Sequence, residues 1–586
     1  MDPRPYPATT AQQFETRWRF GWVDLVVLVG LFVVLWGIVV LGGDMRVQFD
    51  ELHPTPLSLD PWMIPYYTAR TVLRMLIAFC ASLAFTFVWA YGAAKSRRAR
   101  KVMLPMLDIL QSVPVLGFLS VTVTGFLALF PGSLLGVECA AIFAIFTAQA
   151  WNMTFGLYHS LVTIPPEMGE AARVYRLNRW QRFSKVELPA SSIGLIWNSM
   201  MSFGGGWFFV AQSEAISVMN KSIKLPGLGS YMAAAVEAGD TRAAMLAIAA
   251  MVVTIVAFDQ LVWRPLIAWA EKFKIEQTAA GEAPQSWFLD FLKRSYLLER
   301  ASERVAPALG RIAGAVTDAG SNIARAVRAR APSPARLVLR LVAWLAGSAL
   351  IAWLAVDAFG IARQIRTELT PRDMVHVVWL GLLTFLRVLA MTVLATCIWT
   401  PIGVWIGLRP RVARVAQPLA QIAASFPVNM TFPFVVGLFI ALHVPIDLGS
   451  IFLMALGTQW YILFNVIAGA MAIPSDLREA ATLFGVGGWR LWKTLIIPAI
   501  FPFWVTGAVT AAGGAWNASI VAEVATWGEK KLVADGLGAY IAQVTERGDT
   551  PAIYFSILVM SVFVVVINRA LWRRLYDLAE RKFRLG

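Results

Sequence analysis

Apolar residues in this chain gather into blocks about 20 residues long, the length an α-helix needs to cross a hydrocarbon layer roughly 30 Å thick. Six blocks lie at about 22–42, 70–94, 105–130, 134–160, 190–214 and 242–268. Six more lie at about 336–357, 376–408, 416–442, 448–472, 499–523 and 550–572. Between the sets runs a polar, largely basic stretch, 271–335, with no block long enough to span. The 586 residues are 58% hydrophobic and 15% charged, where a soluble domain carries roughly a quarter. The predicted fold class is an all-α polytopic membrane protein with about 12 transmembrane helices.

The net charge of +15 raises nucleic-acid binding, but its placement argues for topology. Basic residues follow apolar blocks, at Lys95–Lys101, Arg409–Arg414, Arg573–Arg574 and Arg581–Lys582, as Lys and Arg do in short cytoplasmic loops. The rule puts both termini, the 95–101 and 165–189 loops and the 271–335 stretch in the cytoplasm, with 43–69 and 216–240 outside. No basic soluble domain remains to hold a nucleic acid. The first apolar block is too long for the core of a cleavable signal. Cys80, Cys139 and Cys397 are far apart within apolar blocks, and the four histidines are scattered, so neither a metal nor a disulfide framework is predicted. No G-x-x-x-x-G-K-[ST] phosphate loop occurs, and no set of nucleophile, base and orienting group marks an enzyme.

The sequence repeats itself. Ile164-Pro165, Glu170-Ala171-Ala172 and Leu188-Pro189 recur 309 residues later as Ile473-Pro474, Glu479-Ala480-Ala481 and Ile497-Pro498. The same offset relates Gly204-Gly205-x-Trp207 to Gly513-Gly514-x-Trp516, Glu214 to Glu523, and Gly227-Leu228-Gly229-x-Tyr231 to Gly536-Leu537-Gly538-x-Tyr540. It holds through Asp240-Thr241/Asp549-Thr550 and Trp263-Arg264/Trp572-Arg573. Upstream it becomes 313, as in Ser112-x-Pro114/Ser425-x-Pro427. An even number of spans separates matched positions, so the copies are parallel six-helix repeats about an axis along the membrane normal, unlike inverted-repeat carriers. The predicted divisions are 1–270, a linker at 271–335, and 336–586.

The segment from Ile164 to Pro189 is too polar to cross lipid and is bracketed by prolines, which are tolerated in a first helical turn and interrupt a helix elsewhere. It predicts short helices on the cytoplasmic face. Its Glu-Ala-Ala, a glycine four residues after the second alanine, and a closing Leu/Ile-Pro resemble the EAA loop of ABC importer permeases. The second copy fits through Gly485, whereas the first has Arg176 where the pattern wants glycine. The tight turn this glycine favours is therefore expected at Gly485 and disfavoured at Arg176. The resemblance implies that Glu170, Ala171, Ala172 and Arg176, with Glu479, Ala480, Ala481 and Gly485, form coupling helices that dock on ATPase subunits. Gly-Gly-x-Trp, the glutamate seven residues later and Gly-Leu-Gly-x-Tyr are similar to permeases of the nitrate/sulfonate/taurine importer group, and the fold implied is of the type I importer kind.

Ionisable groups at bilayer depth cost about 2.5–3.5 kcal/mol at a helix centre on insertion scales, so each needs a reason. Glu214 and Glu523 suit either a gate near the axis or bonding to the adjacent Gly-Leu-Gly loop. Trp207 and Trp516 follow small-residue runs and either line the pathway or pack the core. Gln149 and Asn152, with Gln459 in the other copy, and Asn429 in the second half alone, are the remaining pathway candidates, so any solute site is asymmetric. Arg74 and Arg387, at the outer start of the second span, are expected to snorkel to the interface.

The function implied by the resemblance is the transmembrane permease of an ATP-binding-cassette importer in a bacterial inner membrane. It would carry a small solute such as an oxyanion or sulfonate by alternating access. The implied partners are two cytoplasmic ATPase subunits, which would hold ATP and Mg, an extracytoplasmic solute-binding protein, and membrane lipid. The chain itself is expected to hold no cofactor. An ATP-independent channel or secondary carrier is the alternative; it has no need of the paired loops. The linker alternates arginine and alanine over Ala324–Ala331, as a basic amphipathic helix on an anionic leaflet would.

Overall fold

The computed structural model describes residues 21–48, 57–218, 221–273, 286–301, 333–527 and 530–582, with isolated positions between 303 and 315. Among these, eight helices are long and apolar enough to cross a membrane. They are Trp22–Asp44, Pro61–Lys95, Leu134–Val162 and Thr241–Phe273, then Pro371–Gly407, Ile446–Met471, Gly488–Ala522 and Thr550–Ala579. The Leu188–Glu214 helix holds the place in the first half that Ile497–Ala522 holds in the second. A 36-residue helix, Ser333–Glu368, precedes the second half as Trp22–Asp44 precedes the first. The Trp22–Asp44 helix exposes Leu25, Leu28, Leu31, Phe32 and Val39, an apolar surface suited to lipid.

The third predicted span of each half is not one helix. The 105–130 block divides into Arg97–Ser112 and Leu119–Leu129. The 416–442 block divides into Pro410–Ser425 and, after a 3₁₀ turn, Phe432–Leu442, with a 74° bend. The cause lies in the repeated Ser-x-Pro. Proline forces the residue before it out of the helical region, and Val113 and Phe426 both adopt extended backbone, at φ −82°, ψ 124° and φ −68°, ψ 130°.

Other repeated residues explain repeated geometry. Asp240 and Asp549 each cap the following helix, accepting from Ala243 N at 3.0 Å and Ala552 N at 3.2 Å. Those helices carry π-helical turns at Asp259–Trp263 and Asn568–Trp572, and another matched pair falls at Phe183–Glu187 and Trp492–Ile496. After Glu214 and Glu523 the chain forms β-hairpins, with Ala215 opposite Lys224 and Val524 opposite Val533. The short helices Leu228–Glu237 and Leu537–Arg547 follow. These hairpins mark one face of the molecule; the two Glu-Ala-Ala loops mark the opposite face.

The hairpin face is fastened by buried charge. Arg74 is fully buried, donating to Glu214 at 2.7 Å and to both oxygens of Glu138 at 2.5 and 2.8 Å. Its Nη2 also donates to the Pro226 carbonyl at 2.8 Å. Glu214 accepts from Thr71 Oγ1 and, at 2.7 Å, from Gly229 N. The second half repeats the plan: Glu523 accepts from Thr384 Oγ1 at 2.8 Å, Arg387 at 3.1 Å and Ala539 N at 3.1 Å, while Arg387 also pairs with Asp447. The snorkelling expected of Arg74 and Arg387 does not occur, because each has carboxylates within the bundle. The Gly-Leu-Gly motif follows from the same packing. A Cβ on Gly227 or Gly536 would lie 2.2 Å from the Glu214 or Glu523 carboxyl, and one on Gly229 would lie 2.2 Å from the Ala211 carbonyl oxygen.

The halves are joined by exchange of their broken segments. Val115, Leu116, Leu119 and Val123 join an apolar cluster made of second-half residues together with Val137, Ala140, Ala141 and Ala144 of their own half. Met430, with Ile422, Phe426 and Phe434 beside it, belongs to the apolar core of the first half. Hydrogen bonds also cross the boundary: Val115 N donates to Asn517 Oδ1 at 2.8 Å, and Asn429 Nδ2 to Gln212 Oε1 at 3.3 Å.

The beginning of the linker is pinned to the first span. Ser295 Oγ and Leu297 N donate to Asp24 Oδ1 at 2.8 and 2.9 Å, and Phe291 packs on Trp22. The Ala324–Ala331 stretch and residues 1–20 lie outside the described residues.

Truncating one member of a buried ion pair strands its partner without solvent, at about 3–5 kcal/mol. Arg74→Ala is therefore expected to lower thermal stability in detergent sharply, and Arg74→Lys to restore little of it, since one ammonium cannot reproduce the guanidinium fork. Scanning fluorimetry of the purified variants checks this.

Candidate functional site

The two Glu-Ala-Ala loops have the same architecture. Each holds a nine-residue helix, Pro166–Val174 or Ser475–Leu483, preceded by a proline in extended backbone. Each closes with a helix-stop motif in which an N–H reaches back five residues: Leu177 N to Ala172 O at 3.0 Å and Val486 N to Ala481 O at 2.8 Å. Such a stop places one residue in the left-handed region. That residue is Gly485, φ 64°, in one copy and Arg176, φ 51°, in the other. The expectation that Arg176 disfavours the turn is thus corrected: the loop-closing contacts hold the turn at an energetic cost.

At the end of each helix two large apolar side chains point into solvent. Val174 and Tyr175 are 79% and 78% exposed, and the matched Leu483 and Phe484 are 85% and 84% exposed. Glu170 and Glu479 are exposed on the same helices, as are Ala171 and Arg176. Ala172 is buried, and Ala480 and Ala481 are half-buried. Glu170 pairs with Arg173 at 3.5 Å, a solvent-exposed pair of little energetic weight. Glu187, buried, accepts from Arg182 at 2.8 Å and from Lys95, tying the first loop to the end of its second helix. Ile496, also buried, takes that place in the second loop.

On the hairpin face a cavity of about 550 Å³ lies between the halves. Leu116 and Leu119 of one broken segment and Asn429, Met430 and Phe432 of the other line it, with Gln212 and Ile520 from the two Glu-bearing helices. Thr545, Glu237, Lys531 and Glu546 reach it from the hairpins and the helices after them.

Of the pathway candidates, the cavity contains Asn429 alone. Glu214 and Glu523 are fully buried in the ion networks of their own halves and cannot touch a solute in this conformation. Trp207 packs edge-on against Phe203 and Phe258, and Trp516 lies tilted against Phe563; both are buried. Gln149 is sealed beneath Met75 and Ser82. Gln459 accepts from Trp399 Nε1 at 2.8 Å. Asn152 is exposed beside Ser202, 3.3 Å away. Gln212, Asn517 and Thr545 were absent from the candidates. Their repeat partners are Val521, Phe208 and Val236; a polar residue facing an apolar one across the repeat is the signal that finds them. Among the described residues, no group of His, Cys, Asp and Glu is placed to hold a metal ion.

A helical membrane protein of two homologous halves, with twin exposed helices on one face and a cavity between the halves near the other, is of the kind that moves solutes. The chain belongs to the family of binding-protein-dependent transport system inner membrane components, whose profile matches residues 82–262 and 400–585. It is 25% identical over 185 residues to a Methanocaldococcus jannaschii protein assigned as an ABC transporter permease, covering 32% of this chain and 66% of that protein. It is 23% identical over 167 residues to the nitrate import permease protein NrtB of Leptolyngbya laminosa, covering 28% and 56%. With the bicarbonate transport system permease protein CmpB of a Synechocystis strain the identity is 25% over 195 residues, covering 32% and 62%. The chain thus spans between 56% and 66% of the length of these relatives.

A non-glycine residue in the left-handed region costs about 1–2 kcal/mol. Arg176→Gly is expected to stabilise the first loop by about 1 kcal/mol, and Gly485→Ala to destabilise the second by a similar amount. Amide hydrogen exchange across 166–177 and 475–486 reads both.

Proposed function

We propose that this chain is the complete membrane permease of an ATP-driven importer, with both halves in one polypeptide. The observation that carries the reading is the pair of matched helices exposing Val174–Tyr175 and Leu483–Phe484 on a single face. Unpartnered aromatic and aliphatic side chains beside a solvent-exposed carboxylate suit insertion into a protein cleft. Two such helices, one per half, fit two ATPase subunits, which would supply ATP and Mg. Glu170, Ala171, Ala172 and Arg176 would make one contact, and Glu479, Ala480, Ala481 and Gly485 the other.

The divisions proposed are 1–270 and 336–586 as the two permease repeats and 271–335 as their linker. The loop face is cytoplasmic in this reading, as are both termini, in a bacterial inner membrane. The hairpin face would receive solute from a binding protein. ATPase closure would pull the loops together and rock the halves about the exchanged segments, alternately opening the cavity to each side. An ATP-independent carrier would need ionisable groups free to cycle on its path, and the fastening of Glu214 and Glu523 within single halves argues against that. The relatives named for nitrate import and bicarbonate transport favour a small oxyanion, as the sequence resemblance does; the cavity's own lining favours a different chemistry.

Vesicles holding the chain and its candidate ATPases test the reading. Solute uptake should require ATP. The double variant Glu170→Ala/Glu479→Ala should lose most of it while the chain remains folded. Uptake at the unaltered rate in that variant would remove the coupling assignment.

A further inference from the structure

The cavity between the halves has a lining whose chemistry restricts what it can hold. Most of its wall is apolar: Leu116, Leu119, Met232, Met430, Phe432 and Ile520. Polar groups reach it from Gln212, Asn429 and Thr545. Asn429 Oδ1 and Thr545 Oγ1 are buried and accept or donate no hydrogen bond. Leaving such an atom unmade costs about 1–3 kcal/mol, a cost a ligand recovers by bonding to it. Asn429 Nδ2 already donates to Gln212, so what this amide still offers is an acceptor oxygen.

Among the described side chains at the cavity mouth, cations and carboxylates pair. Lys531 Nζ donates to Glu546 at 2.6 Å, and Lys224 pairs with Glu237. These are two cations and two carboxylates at the mouth. Deeper in the bundle, Arg74 and Arg387 are committed to Glu138, Glu214, Asp447 and Glu523. An anion entering here would pass cations already paired with carboxylates and meet an acceptor oxygen and hydrocarbon. The volume, about 550 Å³, matches sites for organic molecules, which run roughly 300–1,000 Å³ with apolar walls and a few placed polar groups. Nitrate or bicarbonate would fill a small fraction of it.

We propose that this cavity is the solute site and that its solute is an uncharged organic molecule presenting at least one N–H or O–H donor to Asn429. The proposal rests on the permease reading for the word solute; the cavity's selectivity stands apart from it. Gln212 and Thr545 complete the polar side of the site, and Met232, Met430 and Phe432 cover the apolar body. The site is asymmetric because the repeat partners of Gln212, Asn429 and Thr545 are Val521, Leu116 and Val236.

The test uses the full chain with Cys80, Cys139 and Cys397 changed to serine and a single reporter, Thr545→Cys, with Gln212→Cys as the second reporter should the first fail to fold. Trp62→Cys, at a residue 88% exposed, is the solvent control. Labelling rates are compared for neutral hydroxyethyl and anionic sulfonatoethyl methanethiosulfonates. Relative to the control, the neutral reagent should react about tenfold faster in the cavity, because an acceptor oxygen and hydrocarbon do not replace the hydration that an anion gives up on entering. Benzamide, a neutral donor-bearing probe, should slow labelling, and Asn429→Leu should abolish that protection; nitrate and bicarbonate should leave the rate as it is in chloride. Equal or faster labelling by the sulfonate, protection by nitrate or bicarbonate, or a rate indifferent to benzamide would each overturn the proposal. Because no ATPase is present, these outcomes leave the ATP-dependent uptake test to judge the permease reading separately.

Discussion

Arg74 and Arg387, each buried among carboxylates and loop groups, hold the architecture of the hairpin face. A guanidinium in that setting is tolerable only because carboxylates and carbonyls meet its donors. Each network draws on the second, fourth and fifth helices of its half and on the loop after the hairpin, so one charge cluster fixes several elements at once. The clusters are not identical. The first holds two arginines, Arg70 and Arg74, against Glu138 and Glu214. In the second, Leu383 stands where Arg70 would be, and Arg387 alone faces Glu523 and the half-exposed Asp447. Glu138 and Glu214 thus have an extra guanidinium that Asp447 and Glu523 lack.

With each half braced internally, the exchanged broken segments become the natural place for motion. Ser-x-Pro interrupts the third span of each half at the same repeat position, and residues at each break bond to the other half, Val115 N to Asn517 Oδ1 and Asn429 Nδ2 to Gln212 Oε1. Packing there is apolar and close: a Cβ on Gly204 would come within 2.8 Å of Ser425 Oγ. The equivalent Gly513 has open space around it. The two repeats therefore meet differently on the two sides of the pseudo-axis, although their folds match. A fused chain can keep such a difference, whereas two identical chains could not.

Much of this was legible in the residues. The constant offset placed the matched loops, caps and Gly-Leu-Gly turns correctly, because each of those motifs acts through local backbone chemistry. The break at Val113 and Phe426 could have been read from the following prolines, but apolar content over 105–130 and 416–442 hid it. The partners of Arg74 were missed because Glu138 lies 64 residues away; hydropathy at one position says nothing of a carboxylate folded beside it. Arg176 shows the limit of motif logic in the other direction. Its turn is set by the closing contacts from Leu177 and by the Glu187 anchor, and these outweigh the local preference for glycine. The cavity residues Gln212 and Thr545 carry no shared motif, since each faces an apolar residue across the repeat, Val521 and Val236.

The proposed importer cycle requires each half to move as a rigid unit against the other. Spin labels at Glu237→Cys and Glu546→Cys report across the halves, and a pair at Trp62→Cys and Glu237→Cys reports within the first. Double electron–electron resonance on the chain assembled with its ATPases, with and without ATP, measures both distances. The account predicts a change across the halves of several ångströms, on the scale of subunit and domain rotations in switching proteins, and an unchanged distance within the half. A shift within the half, or no ATP-dependent change across them, would contradict it.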